Sequence, residues 1–325
     1  MAFDLEKFNA QVYTALTETV DQQVEVFNAA SEGTLVLAPS NANMGDFAIR
    51  ASFQLIAGLV RRRDANNGTD PIATARLLQL KNASVKVAAG TPSITFEPAQ
   101  YRWAQRNPDE FALVVGEQLA LATVQDQVNV AISGLVAAMT GNADVVHDIT
   151  SATEKTPTLA SLTSAAMKFG DRATAIRAWI LHSKSMGDIW QQGIKNGEQL
   201  FNYGNVAVQR DPFGRLYIMT DSPALVVPAA DSTPERYYTL GLVSQAALVE
   251  PNNDFEATLV DKTGTENIQR TYQAEWSYNL GLLGYTWNTT TGGSSPTSVA
   301  LGTSANWTKT ATSKKDTAGV LLKTE

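Results

Sequence analysis

The sequence predicts an α+β protein with a mainly antiparallel sheet, because its helices and strands are partly segregated along the chain. Two amphipathic patterns, in residues 1–30 and 107–141, have the three- and four-residue spacings of long helices. Short apolar or alternating segments between turn residues dominate 34–96 and the part after 206, which is typical of strands. No internal repeat is visible, so a solenoid or a propeller is not expected.

The composition narrows the class of protein. The chain has 325 residues, 44% of them hydrophobic and 18% charged, which is enough for two or three core-forming units. Its formal net charge of −7 argues against a protein that grips nucleic acid by neutralising phosphates. The absence of cysteine excludes disulfides and thiolate metal sites. Neither a signal peptide nor an uninterrupted membrane-spanning apolar run is expected from the sequence.

The N-terminal helix, predicted over 1–30, needs a surface that covers its apolar face. That face is the following stripe: Phe8, Val12, Leu16, Val20, Val24 and Phe27. Two alternatives remain for what covers this face: the core of the same chain, or a neighbouring subunit. In the second case Phe8 and Val12 would be inter-subunit contacts.

The second helix, predicted over 107–141, is the longest element. Asn107 is placed to act as N-cap, Pro108 fits the first helical position, and Glu110 can close a capping box. Gly141 is expected to end the helix in the left-handed conformation, after about 33 residues or about 50 Å. Its predicted buried face is Val114, Leu121, Val124, Val128, Ile132, Leu135 and Met139. Glu117 on the other face favours a long core helix or a coiled-coil arm over a membrane span.

Residues 46–96 predict a long two-stranded excursion, with one strand over 47–55 and a return strand over 84–87. An isolated hairpin is marginally stable in water, so this one needs a partner. Its tip carries the only basic run in the chain, Arg61, Arg62 and Arg63. These arginines can be a solvated tip, a contact with acidic groups of another subunit, or a nucleic-acid contact. The lack of aromatic side chains beside them disfavours nucleic acid.

The rest of the chain mixes helices and strands. The predicted elements are a helix over 159–169, a strand over 178–181, a helix over 185–195, a hairpin turning at 211–214, a strand over 237–248, a strand pair at 258–262 and 269–277, a strand over 284–287, a linker over 292–296 and a last strand over 318–323.

No catalytic, cofactor-binding or metal-binding residue can be assigned. The common phosphate-binding loops and the nucleophile elbow are absent. The only histidines are His147 and His182, and they lie far apart in sequence without cysteine nearby. His182 follows an apolar strand and is interpreted as a structural histidine at the strand end. An α+β enzyme that uses Asp, Glu or Ser stays as an alternative without identifiable site residues.

Taken together, the order of elements resembles the major capsid protein of tailed bacteriophages, whose fold is shared with encapsulins and the herpesvirus capsid floor. Ala178–Ile189, an apolar run followed by His-Ser and a helix, resembles the axial-domain segment of one phage subgroup. Gly214–Pro223 resembles the strand and turn that follow, and the stretches between Tyr285 and Trp307 resemble the end of that subgroup.

This resemblance implies the tailed-phage capsid fold, with an N-terminal arm, an extended two-stranded loop, a peripheral domain with a long spine helix, and an axial domain. The implied division is an arm and helix at 1–45, the extended loop at 46–96, the spine helix at 97–142, the axial domain at 143–235, a return to the peripheral sheet at 236–291 and a C-terminal extension at 292–325.

The implied function is a shell protein that assembles as hexamers and pentamers around packaged DNA, without a cofactor or a membrane. Extended loops and arms would lie across neighbours, which would make Arg61–Arg63 contact residues. The implied partners are copies of itself, a separate scaffolding protein, a portal and a cement protein, with assembly in the host cytoplasm. Residues 46–80 contain no lysine, so no isopeptide cross-link from this loop is expected. An encapsulin-type compartment shell is the alternative within the same fold.

Overall fold

In the part of the chain that the computed structural model describes, two seven-stranded sheets meet at one long helix. The described residues are 5–38, 47–53, 79–97, 108–196, 208–210, 215–230, 234–264 and 266–325. The helices are α1 (Leu5–Ala30), α2 (Pro108–Thr140), α3 (Leu159–Ala166), α4 (Ser183–Asn196), α5 (Thr289–Gly292) and α6 (Ser298–Leu301). The strands are β1 (Leu35–Leu37), β2 (Phe47–Phe53), β3 (Gln79–Gly90), β4 (Ile94–Phe96), β5 (Val146–Asp148), β6 (Ile176–Leu181), β7 (Val208–Arg210), β8 (Leu216–Met219), β9 (Val226–Val227), β10 (Arg236–Val243), β11 (Ala247–Pro251), β12 (Glu256–Lys262), β13 (Gln269–Leu282), β14 (Tyr285–Trp287), β15 (Trp307–Lys309) and β16 (Gly319–Thr324).

The first sheet is built around β13, in the order β1-β11-β13-β3-β2. One half of β13 pairs with β11 and β3, and the other half pairs with β12 and β4. The strand pair predicted at 258–262 and 269–277 is thereby confirmed. The predicted excursion is confirmed where it is described, since β2 and β3 pair from Phe47↔Val85 to Phe53↔Gln79. The arginine tip lies outside the described residues.

The second sheet has the order β5-β16-β10-β6-β8-β7, with β9 also paired to β10. Its centre is the buried strand β6, which carries the fully buried Trp179. Trp179 lies on Gly241 of the neighbouring β10, where an added Cβ would be 2.5 Å from the indole ring. Only glycine therefore fits opposite this tryptophan. The two strands predicted to flank a turn at 211–214 pair antiparallel as β7 and β8, and the turn itself lies outside the described residues.

The prediction of one strand over 237–248 is wrong. The segment divides into β10 and β11, which belong to different sheets, and the chain crosses between them at residues 244–246. Gln245 has a φ of 56°, and its N–H donates to the Gly33 carbonyl at the end of α1. Both halves are apolar and buried, so periodicity could not reveal the crossing.

The crossing also shows how two of the expected segments pair. Residues 236–243 pair in the second sheet and do not return to the first. The segment expected as a C-terminal extension ends in β16, which lies inside the second sheet, between β10 and the edge strand β5. The chain therefore builds each sheet from distant parts of its sequence.

Helix α2 begins at Pro108 and ends at Thr140, which confirms the predicted length. The expected N-cap, Asn107, lies outside the described residues. The predicted end is right, but the expected left-handed Gly141 is wrong, since that glycine has no positive φ. The chain leaves the helix through a 3-10 turn over Ala143–Val145. The predicted helix over 159–169 becomes α3 and a following 3-10 segment, Met167–Ala175.

The predicted buried face of α2 is right only in its C-terminal half. Ile132, Leu135 and Met139 are fully buried in a core that includes both sheets. Val114 and Leu121 are 39% and 56% exposed, so their predicted burial is wrong. In the N-terminal half a different face is buried, because α1 packs there in a second apolar cluster with β12 and β13. The buried members of this cluster are Val12, Leu16, Ala112, Leu119, Ala120, Leu259, Tyr272 and Ala274.

The contact between α1 and α2 depends on Gly116. A Cβ at this position would lie 2.8 Å from the Ala15 Cβ and 3.0 Å from the Val12 carbonyl oxygen. The two helices therefore approach each other more closely than any side chain at 116 would allow.

We expect Gly116→Val to lower the free energy of unfolding by about 1–3 kcal/mol, since the added atoms must push α1 away from α2. Urea unfolding of the purified subunit measures this change. A matched control is Gly187→Ala in α4, where an added Cβ meets nothing within 4 Å. The control should raise stability by up to about 1 kcal/mol through helix propensity. Equal effects of the two changes would contradict the close-packing account.

Candidate assembly surfaces

The two histidines do not come together in the fold. His147 lies on β5 and His182 follows β6. These strands are three positions apart in the second sheet, or about 14 Å. Burial and the charge of Lys168 lower the pKa of His147. Among the described residues, no group of three or more His, Asp and Glu side chains could hold a metal ion.

His182 has a structural role at the start of α4, as predicted. Its Nδ1 accepts a hydrogen bond from the Lys184 backbone N–H at 3.2 Å, which caps the helix. Its Nε2 lies 3.4 Å from Oδ1 of Asp221. The same Asp221 oxygen accepts from the Ser183 backbone N–H at 3.2 Å. This hydrogen bonding with Ser183 lowers the pKa of Asp221.

Ser183, His182 and Asp221 superficially resemble a catalytic triad. The Ser183 Oγ is 3.5 Å from His182 Nδ1, which is long for a hydrogen bond. The Nδ1 lone pair already accepts from the Lys184 N–H, so it is not free to take a proton from the serine. The group therefore caps a helix and has no geometry for nucleophilic catalysis.

A buried polar network fixes one end of the first sheet. Asn252 and Asn279 are almost fully buried, and Asn279 Nδ2 donates to Asn252 Oδ1 at 2.6 Å. Asn252 Nδ2 donates to Ser277 Oγ at 2.9 Å. Asp254 accepts from the Ser277 N–H at 2.7 Å and from its hydroxyl, and it lies 3.4 Å from Lys86 Nζ. Burial raises the pKa of Asp254, but the hydrogen bonds from Ser277 and the charge of Lys86 outweigh it and lower that pKa overall.

Beside this network, a groove of about 640 Å³ lies between α1 and the first sheet. We call it the α1 groove. Its aromatic wall is formed by Tyr13, Phe255 and Trp276, with ring centroids 5.4 Å apart for the first pair and 6.1 Å for the second. Its acidic rim is formed by Asp21 and Glu25 on α1. Sequence reasoning missed this groove, because its parts are separated by more than 200 residues.

Large apolar side chains are exposed on two further surfaces. On α2 these are Leu113, Val114 and Leu121, of which Leu121 is 56% exposed. At the turn of the β12–β13 hairpin they are Val260 and Ile268, 55% and 58% exposed. Clustered exposed apolar residues are typical of protein–protein interaction surfaces.

The residues predicted to contact neighbours have different positions. Val12 is fully buried between α1 and α2 of its own chain, so in this arrangement it has no surface for a neighbouring subunit. The apolar face of α1 is thus covered by the chain itself at Val12 and Leu16, whereas Val20 and Val24 are only partly buried and line the α1 groove. Phe8 lies in α1, but its side chain is outside the described residues. Arg61, Arg62 and Arg63 lie outside them altogether.

Residues 112–140 of α2 are apolar and long enough to cross a membrane, judged by length and composition alone. Half of the apolar window is buried inside the protein, where it packs between the sheets. The core of a soluble protein accounts for the same properties.

Three features define the architecture: a long helix against a mixed sheet, a paired excursion from one sheet edge, and a second sheet built around β6. The family model described as Gp13-like, major capsid protein 13-like, matches residues 4–321. The chain belongs to this major capsid protein family. This membership favours a viral capsid protein over the encapsulin alternative.

Solved capsid structures are similar in fold. The chain is similar to the cyanophage Pam1 capsid asymmetric unit, with 10% identity, a TM-score of 0.50, and coverage of 77% of this chain and 85% of that one. It is also similar to the capsid of Ralstonia phage GP4, with 9% identity, a TM-score of 0.49, and coverage of 90% and 87%. No curated protein matches the sequence significantly.

We expect Asp254→Asn to destabilise the subunit at pH 7 by about 1 kcal/mol or less, because this carboxylate is partly exposed. Its pKa is lower in the folded than in the unfolded protein. The stabilisation is therefore present above the unfolded pKa, near 3.8, and is lost as pH falls through the folded value.

Urea unfolding of wild type and variant at pH 7, 5 and 3 measures the difference between them. The difference in free energy of unfolding should be similar at pH 7 and pH 5 and smaller at pH 3. Glu256→Gln, an exposed change on β12, serves as the control and should have little effect at any of these pH values. A difference between wild type and D254N that grows toward low pH would contradict the assigned hydrogen bonds.

Proposed function

We propose that this chain assembles as hexamers and pentamers that close into an icosahedral shell around packaged double-stranded DNA. The observation that carries the proposal is the major capsid family match over residues 4–321. The exposed apolar residues on α2 and at the β12–β13 turn support it, since a subunit that stayed monomeric would leave them in water.

We assign the two sheets to two different domains of the subunit. We assign the peripheral domain to α1, α2 and the first sheet, with the β2–β3 pair as the base of the extended loop. We assign the axial domain to the second sheet, which adds residues 236–243 and 319–324 to the axial segment expected at 143–235. On this assignment the helix α2 contacts both domains and sets their relative position.

The proposed partners are copies of the same chain, a separate scaffolding protein, a portal and a cement protein. The DNA would be enclosed without sequence-specific contacts, which suits a net charge of −7. The chain would act without catalysis and would assemble in the host cytoplasm. Without a lysine in 46–80, the extended loop would be held by noncovalent contacts.

We expect replacement of Arg61, Arg62 and Arg63 together by Ser to leave the subunit folded but to impair shell formation, because a cationic contact with a neighbour is lost. Sedimentation and electron microscopy, with scaffolding protein present and at low and moderate salt, measure the closed particles. A matched control removes three other positive charges from the described part of the chain, at Arg177, Lys262 and Lys314.

Closed particles from wild type and from the control, with few from the arginine variant, would support the loop contact. Normal particles from the arginine variant at both salt concentrations would reject it. A wild-type subunit that stayed monomeric at high concentration with its scaffold would contradict the proposed assembly itself.

A further inference from the structure

The α1 groove has the properties of a binding site for an extended peptide. Its volume of about 640 Å³ lies within the range of about 300–1,000 Å³ that is usual for ligand sites. It runs between a helix and a sheet, and its wall carries the three aromatic rings already described. The indole Nε1 of Trp276 is buried and has no acceptor among the described residues.

The charged side chains that line the groove are acidic. Asp21, Glu25 and Asp254 line it, and none of the described residues of its lining is a lysine or an arginine. Lys86 neutralises Asp254, but Asp21 and Glu25 have no ion-pair partner in the part of the chain that the structure describes. A fitting occupant therefore combines an apolar stretch for the wall with cations for the rim.

One segment of this chain has that composition. Residues 55–60 read Leu-Ile-Ala-Gly-Leu-Val, and Arg61, Arg62 and Arg63 follow them directly. The apolar run is six residues long and precedes the only run of three basic residues in the sequence. Both properties required by the groove are thus adjacent, in the order apolar then cationic.

This segment cannot reach the aromatic wall of its own groove. It leaves β2 at Phe53, which pairs with Gln79 at the start of β3. Trp276 pairs with Ala89, ten residues further along the same strand, which is about 33 Å away. Val60 is seven residues from Phe53, and a fully extended chain of that length spans at most about 25 Å. An occupant with this sequence must come from another copy.

We propose that residues 55–63 of a neighbouring copy bind in the α1 groove, with the apolar run against the Tyr13–Phe255–Trp276 wall and the arginines at Asp21 and Glu25. This inference rests on the proposed assembly and names the surface that receives the extended loop. Residues 39–46 of the same chain follow Ala38 at the groove, but they contain no basic residue and end in an aspartate. They do not match the acidic rim.

A charge exchange tests the pairing. One variant carries Asp21→Lys and Glu25→Lys, a second carries Arg61→Glu, Arg62→Glu and Arg63→Glu, and a third combines them. We expect each of the first two to reduce the yield of closed particles about tenfold or more, and the combination to recover most of that loss. A control with Glu18→Lys and Glu117→Lys makes the same charge change at exposed positions outside the groove and should assemble like wild type.

A thiol pair provides a second measurement that does not depend on charge. The chain has no cysteine, so Val24→Cys in the groove and Val60→Cys in the segment introduce the only two thiols. After mild oxidation of assembled particles, non-reducing electrophoresis should show chains linked into multimers for the double variant and not for either single variant.

Recovery in the combined variant, or a multimer ladder from the thiol pair, supports the docking. Wild-type particles together with no recovery and no ladder would overturn it while leaving the proposed assembly standing. If the double cysteine variant formed a disulfide within one chain and no multimers, this would also overturn the docking, in favour of occupancy from the same chain.

If the charge control were as impaired as the groove variant, the effect would be one of net charge and the docking would be rejected. If wild type formed no particles with scaffold present, the proposed assembly itself would be rejected, and the docking that rests on it would be rejected with it.

Discussion

The rest of the structure depends on helix α2, which buries different faces along its length. Its C-terminal half lies in the core that joins the two sheets, with Ile132, Leu135 and Met139 fully enclosed. Its N-terminal half is covered by α1, which the absence of a side chain at Gly116 allows to approach closely. A helix with a single apolar stripe could serve only one of these contacts. The relative position of α1 and both sheets therefore follows from one element.

The sheets are interleaved through the chain, and this has a mechanical consequence. Strands β10 and β11 are consecutive in sequence but lie in different sheets, and the last strand β16 lies inside the second one, between β5 and β10. Neither sheet can form from one continuous part of the sequence. The backbone therefore connects the two sheets at the β10–β11 crossing as well as through α2.

The surfaces that this packing leaves uncovered are rich in apolar side chains. The core is filled by residues of the same chain, including Val12, whereas Leu121, Val260 and the α1 groove remain open. The groove adds an acidic rim to its aromatic wall, so an occupant would have to match it in charge as well as in shape. In a protein of the major capsid family, such surfaces are where specificity between copies would reside, and no catalytic arrangement in the described residues competes with that role.

The sequence by itself determined the class α+β, the limits of α2, the β2–β3 and β12–β13 pairs, and the structural role of His182. These features depend on local spacing, capping residues and turns, which are visible in one dimension. Only the tertiary structure decided the division of 236–251 between two sheets, the place of β16 between β5 and β10, the exposure of Val114 and Leu121, and the existence of the α1 groove. Each of these depends on which distant segment covers a given face. An apolar residue has the same local pattern whether its cover comes from α1, from a strand more than a hundred residues away, or from another copy.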